Sequence, residues 1–267
     1  MSAHLSSVHP KAKIGKKVDI GPFVTIYEDA EIGDGCWIGP NVTIMNGARI
    51  GSNCKIYPGA VIAAEPQDLK YRGEITTAVI GSNTIIRECV TVNKGTMASG
   101  KTIVGEGCLL MAYAHIAHDC IIGNNCVIAN NAALAGHITV DDYAILGGVT
   151  AVHQFVKIGQ HAFVSGGSLV GKDVPPYVKA ARIPLSYAGV NAIGLRRRGY
   201  DEATITRIED IYRIIFVKHH NVSKALDLVE AEVEPSYERD LILNFIRNSE
   251  RGIMKGYFNG RYDNNAG

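Results

Sequence analysis

An aliphatic side chain at nearly every sixth position, a small or β-branched one two places before it, and a switch to helical spacing near residue 201 together predict a left-handed parallel β-helix followed by an α-helical domain. Of the 28 sixth positions from Val8 to Val170, 25 are Ile, Val or Leu, and only Asp68, Glu74 and Ala98 break the series. The preceding small position holds Ala30, Cys36, Val42, Ala48, Cys54 and Ala60, and later Cys108, Ala114, Cys120, Cys126 and Ala132. The position after the aliphatic residue is often glycine, which enters a tight corner at low cost. Three hexads close one triangular coil of 18 residues, and coils stack at the spacing of strands in a sheet, about 4.8 Å. The aliphatic residues then fill a prism whose corners admit only small side chains.

Two stretches, 63–79 and 93–103, interrupt the period with polar residues. In a solenoid such insertions leave as loops from the outer face, where functional groups concentrate. After Gly171 the prolines of 172–177 end the hexads. From Asp201, Ile205, Ile208, Ile211, Tyr212 and Ile215 follow i, i+3, i+4 spacing. A second helix is expected over Ser223–Val233 and a third from Ser236, with serine as N-cap of both. The third carries Leu241, Phe245 and Ile253 on its apolar face. The domains are thus expected to be a β-helix over 1–186 and a helical domain over 187–267.

Composition excludes several function classes. Lysine and arginine number 27 against 26 acidic residues, so no global field attracts nucleic acid or a membrane surface. No apolar run is long enough to span a bilayer, and Met1 to Lys13 lacks the apolar core of a secretory signal. A cytoplasmic protein is expected. Six cysteines form no CxxC pair. Cys36 and Cys54 lie 18 residues apart, as do Cys108 and Cys126, so they read as stacked inward thiols. Cys120 has the same inward phase, which argues against a thioester nucleophile.

Histidine supplies the chemistry. His137 follows His118 by one coil plus one residue, His153 by two coils less one, and His115 shares the coil of His118. The set lines one edge of the prism, outside the inward phases. Zinc is one reading: β-helices resembling the γ-class carbonic anhydrases hold the ion with three histidines across a subunit interface, but their five-residue histidine spacing is absent here. Acid–base catalysis is the other. A neutral imidazole, with a pKa near ~6.5, suits removal of a proton from a sugar hydroxyl. Asp119 stands next to His118 and could orient its ring. A structural solenoid with a flat binding face would leave both the histidines and the loops idle.

The segments 114–142, 147–155, 173–177, 67–74 and 189–199 closely resemble the UDP-N-acetylglucosamine O-acyltransferases that begin lipid A synthesis, in the right order and over essentially the whole chain. An N-acyltransferase of the same pathway is the nearest rival, but that family carries an extra N-terminal domain, whereas hexads here begin at Val8. The resemblance implies transfer of an (R)-3-hydroxyacyl group from acyl carrier protein to the 3-hydroxyl of UDP-N-acetylglucosamine, by direct attack and with no cofactor or metal. It implies a homotrimer with active sites between neighbouring prisms. His118 matches the general base, Asp119 its acidic partner, and Gly136 the residue whose N–H faces the oxyanion. Asp68, Lys70, His115, His137, His153, Gln154, Asn191, Arg197 and Arg198 match substrate-binding positions. Gly166 matches a residue that stops the acyl chain, and glycine there implies a long-chain donor. Its place about 2.7 coils beyond His118 puts it roughly 13 Å along the axis. Ile193 departs from the pattern, standing where some members carry an acidic residue. Lys157, Lys172, Lys179, Arg182 and Arg196 are candidate contacts for an acidic carrier protein.

Overall fold

The computed structural model describes residues 5–218 and 221–256; the outer ends of the expected domains, 1–4 and 257–267, lie outside them. The chain winds as the left-handed parallel β-helix that the six-residue period predicts. Its short strands stack into three sheets of nine, eight and ten strands. Within each sheet a strand pairs in parallel with the strand one coil away, as in His115↔Ala133, Ile121↔Thr139 and Val127↔Ile145. The sixth-position residues are the core: Ile44, Ile62, Leu110, Ile128, Leu146 and Val164 are fully buried. At roughly 1.5–3 kcal/mol for each buried aliphatic side chain, this axial column is the main source of stability.

The cysteines join that column as thiols. Cys36, Cys54, Cys108, Cys120 and Cys126 are buried and unbridged. Their sulfurs donate to backbone carbonyls of the next coil, among them Cys108 to Gly123 at 3.1 Å and Cys120 to Ala135 at 3.1 Å.

The strands Val61–Ala64, Thr77–Ile80, Thr91–Asn93 and Lys101–Val104 trim the two insertions to loops 65–76 and 94–100. Both leave from the corner between the first and second sheets. At the far end of the prism, the strand Val178–Ala181 joins the third sheet in parallel, and Ser186–Val190 pairs with it antiparallel. The sheet therefore runs past the expected boundary at 186. Among the described residues four α-helices follow: α1 (Ala192–Arg197), α2 (Glu202–Arg213), α3 (Val222–Glu232) and α4 (Tyr237–Arg247). Ile205, Ile208, Ile211 and Tyr212 bury the inner face of α2, which continues into a π-helical turn, Ile214–Lys218. Ser236 caps α4 through the Arg239 N–H. The cap of α3 is Asn221, two residues before the expected serine, because its side chain reaches the Lys224 N–H. Ile253 lies beyond α4 in a segment that bridges back to Asp173. No helix of the described residues is long and apolar enough to cross a membrane.

Candidate active site

The corner between the first and second sheets carries His118–Asp119 on one coil, Gly136–His137 on the next and His153–Phe155 on the one after. Asp119, His137 and Phe155 take left-handed backbone conformations, with φ of 59°, 61° and 64°. Asn53, Asn83 and Asn125 do the same at another corner, so this geometry belongs to the turn and is not strain kept for the site. It stacks the side chains vertically: the rings of His137 and Phe155 are parallel with centroids 4.6 Å apart, and His118 meets His137 edge to face at 5.1 Å.

His118 does not stand on an open edge, as its phase suggests. It is buried, 5 % exposed, and Asp119 is 4 % exposed. His118 Nδ1 lies 2.8 Å from Asp119 Oδ2. The cover comes from the second loop, which the sequence did not connect with this pair. The Thr96 N–H donates to Asp119 Oδ1 at 2.9 Å and the Thr96 hydroxyl to Oδ2 at 2.6 Å. The Ser99 hydroxyl also reaches Oδ1. Thr102, fully buried, accepts the Asp119 N–H at 2.8 Å. Burial alone would push the Asp119 carboxyl up, but the hydrogen bonds from Ser99, Thr96 and His118 outweigh it and hold the pKa at about 2. The carboxylate is therefore ionised at neutral pH, and His118 Nδ1 must be the donor between them.

Gly136 lies under the imidazole. A Cβ there would come within 2.4 Å of His118 Cε1 and 2.7 Å of Nε2, so only glycine lets the ring sit where it does. Among the described residues nothing accepts the Gly136 N–H, which leaves it available to an oxyanion. His115 points outward from its strand, with Nδ1 2.7 Å from the Thr91 hydroxyl. Burial, and then the neighbouring His118, lower its pKa. His153 and Gln154 are exposed further along the same corner. Asp68 and Lys70 lie on the first loop, where the Asp68 carboxylate accepts the Lys70 N–H at 2.9 Å.

The remaining expected residues are elsewhere. Asn191 caps α1 by accepting the Gly194 N–H and donates to the His161 carbonyl at 3.0 Å. Arg198 places its guanidinium 5.3 Å from the centre of the Tyr143 ring. Both sit at the corner between the second and third sheets, with Arg197 and Ile193 exposed on the same short helix. Gly166 is on the third corner, beside Gly148. The axial offset from His118 was legible, but 48 residues also rotate the chain by two sides. A path between them must cross the first sheet. Of the candidate carrier contacts, Lys157 and Lys172 already donate to the carbonyls of Asn248 and Arg251, and Arg196 pairs with Glu202. Lys179 is exposed.

His118, Asp119 and His137 offer donor atoms within 4.8 Å of one another, close enough to share a metal. The donor set fits one poorly, since two hydrogen bonds already occupy each carboxylate oxygen. The arrangement suits acid–base chemistry better: an imidazole anchored by an ionised carboxylate, with a free backbone donor beneath it.

Known proteins match this architecture along its length. The family model described as UDP-N-acetylglucosamine O-acyltransferase, domain 2, matches residues 173–254, and the bacterial transferase hexapeptide model matches 29–64 and 101–136. An acyl-[acyl-carrier-protein]–UDP-N-acetylglucosamine O-acyltransferase of Pseudomonas entomophila is 42% identical over 249 residues, covering 93% of this chain and 96% of its own. The counterpart from Myxococcus xanthus is 44% identical over 197 residues, 73% of this chain and 76% of its own. Among solved structures, LpxA from Bacteroides fragilis, a UDP-N-acetylglucosamine acyltransferase, superposes with a TM-score of 0.93 at 49% identity, covering 96% of this chain and all of its own. The Francisella novicida UDP-N-acetylglucosamine acyltransferase gives 0.92 at 37% identity over 96% of this chain and 94% of its own.

Proposed function

The chain belongs to the UDP-N-acetylglucosamine O-acyltransferase family, and from that premise we propose that it moves an (R)-3-hydroxyacyl group from acyl carrier protein to the 3-hydroxyl of UDP-N-acetylglucosamine, with His118 as general base. The observation that carries the catalytic assignment is the buried His118–Asp119 pair beneath which Gly136 presents an unpaired N–H. Nε2 of His118 takes the proton of the sugar hydroxyl as the oxygen attacks the thioester carbonyl. Negative charge develops on the carbonyl oxygen, where a backbone donor is worth about 2.7–4 kcal/mol in comparable sites. Collapse breaks the C–S bond, and the imidazolium returns its proton to the departing carrier thiolate. The step balances without metal or cofactor.

The working form is a trimer, with each site made by two prisms. What supports this is the division of residues over corners: His118, Gly136, His153 and Gln154 on one, Asn191, Arg197 and Arg198 on another. A single sugar nucleotide could use both sets only where neighbouring chains meet. The arginines offer planar, bidentate donors to its diphosphate, and Asp68 and Lys70 reach the sugar from the first loop. In this reading the enzyme is cytoplasmic.

Gly166 sets the donor length in this reading, and its glycine admits a long chain. The Gly166→Met variant should prefer shorter donors while nucleotide binding stays normal. A Cβ there already comes 3.0 Å from the Gly148 carbonyl, so Gly166→Ala is the control that separates coil strain from filling of the groove. The direct test of the function is acyl transfer from carrier thioesters of several lengths to UDP-N-acetylglucosamine. No transfer with any of them would remove the proposal.

A further inference from the structure

Among the described residues, six of the twelve buried polar or charged ones gather at the catalytic corner and the roots of its loops: Thr76, Asn93, Thr96, Thr102, His118 and Asp119. Buried polar groups at this density are costly unless each finds a partner. The two loops supply most of those partners to each other, although the Asn93 Oδ1 has none among the described residues. The Thr76 hydroxyl donates to the Gly95 carbonyl at 2.6 Å, and Asn93 Nδ2 to the Glu65 carbonyl at 3.0 Å. Lys94 lies over the Tyr71 ring. The first loop therefore pins the second, and the second reaches Asp119.

We propose that Thr96 and Ser99 are positioning residues that act through Asp119, filling three of its four acceptor positions so that the fourth can take only the His118 Nδ1–H. The count is complete: the Thr96 N–H and Ser99 hydroxyl fill Oδ1, while the Thr96 hydroxyl and His118 fill Oδ2. The Ser99 hydroxyl has one proton and two acceptors in reach, the carboxylate and the Lys101 carbonyl. The charged acceptor is the stronger. A carboxylate fixed on both oxygens cannot rotate, and it holds the imidazole in the tautomer whose Nε2 is unprotonated and free for substrate. His137 and His115 face the same pair, but neither hydrogen-bonds Asp119. The second insertion is thus part of the catalytic apparatus through its hydroxyls, and this rests on the base role given to His118.

Ser99 is exposed except for its inward hydroxyl, so Ser99→Ala should fold normally. The expected result is a fall in kcat of about tenfold, the scale of one hydrogen bond to a charged group, with KM within about twofold. Ser99→Thr should restore activity. Thr96→Val, which loses the donor on the oxygen shared with His118, should fall further. Nitrogen NMR of histidine-labelled trimer at neutral pH reads the tautomer without reference to turnover, with the His118 signal assigned by its loss in His118→Ala. Wild type should show the Nδ1–H form, and Ser99→Ala a mixture. Unchanged kcat and tautomer in Ser99→Ala overturn the proposal, as does lost activity with an unchanged tautomer and no rescue by threonine. Should His118→Ala stay active while Ser99→Ala still mixes the tautomers, the base assignment fails and the clamp stands.

Discussion

Two corners of the prism bury a histidine equally well and make different things of it. His118 is 5 % exposed at the corner of the first and second sheets, and His161 is 3 % exposed at the corner of the second and third. Both rings pack on aromatic neighbours; His161 is stacked between Tyr143 and Tyr177 at 4.9 and 5.7 Å. The covers differ. Loops 65–76 and 94–100 bring hydroxyls and a backbone N–H to an ionised carboxylate beside His118. The segment around α1 brings Tyr200 and Arg198 to His161, whose Nε2 is 3.2 Å from the Tyr200 hydroxyl while its Nδ1 has no partner among the described residues. Burial is common to both; only His118 has an anchored carboxylate beside it.

The largest effect should follow removal of His118, the proposed base. His118→Ala is expected to lower kcat at least about 10²-fold, the lower range for a positioned general base, in acyl-transfer assays on protein shown to keep the wild-type oligomeric state. Because the ring is buried, some loss of thermal stability should accompany it. A variant keeping more than about a tenth of wild-type kcat would falsify the assignment. Gly136→Ala should come next. Its methyl would occupy the space of the His118 ring, and a displacement near 1 Å can cost about 10²-fold. If Gly136→Ala keeps full activity, the ring has other room and its placement over Gly136 is not functional.

How much of this was legible in the chain follows the same division. The inward column from Ile26 to Val170 was readable because each position repeats at a fixed phase, and the His118–Asp119 pair because its members are neighbours in sequence. Thr96 and Ser99 were not, since they reach Asp119 across 23 and 20 residues through a loop that breaks the period and carries no phase of its own. The burial of His118 went unread for the same reason. Gly166 shows a subtler limit: the coil count gave its height but not its side. Asn191 shows another, since a residue matched to substrate binding also has its amide committed to capping α1.

At the other corner, the burial of His161 predicts a specific sensitivity to acid. Burial, and then the Arg198 charge, lower the His161 pKa to about 4, and a proton on Nδ1 would be a buried donor without an acceptor. The unfolded chain protonates this residue near ~6.5. The neutral ring's contribution is therefore fully present above that pH and is lost as pH falls towards 4. It amounts to about 3 kcal/mol per chain, at about 1.4 kcal/mol per unit. His161→Phe keeps the stack but does not titrate, so its melting temperature should fall less between pH 7 and pH 4.5 than that of wild type. Parallel curves for the two proteins would show that protonation of His161 does not govern this part of the acid sensitivity.

The smallest effect expected tests whether the corner needs any nucleophile besides the substrate. Cys120 follows Asp119 directly, close enough in sequence to suggest an acyl-enzyme. Its side chain turns the other way. It is fully buried and donates to the Ala135 carbonyl at 3.1 Å, and burial pushes the thiol up to about 12. At neutral pH the reactive thiolate is then a negligible fraction. Cys120→Ala removes one sulfur from a close-packed column, which should cost on the order of 1 kcal/mol of stability, near the low end for buried truncations. Its kcat should stay within about twofold of wild type, and no acyl adduct should be found on the wild-type chain by mass spectrometry after quenching. An adduct on Cys120, or loss of turnover in folded Cys120→Ala protein, would replace the proposed direct attack by a two-step transfer and move the chemistry from His118 to the sulfur that follows Asp119.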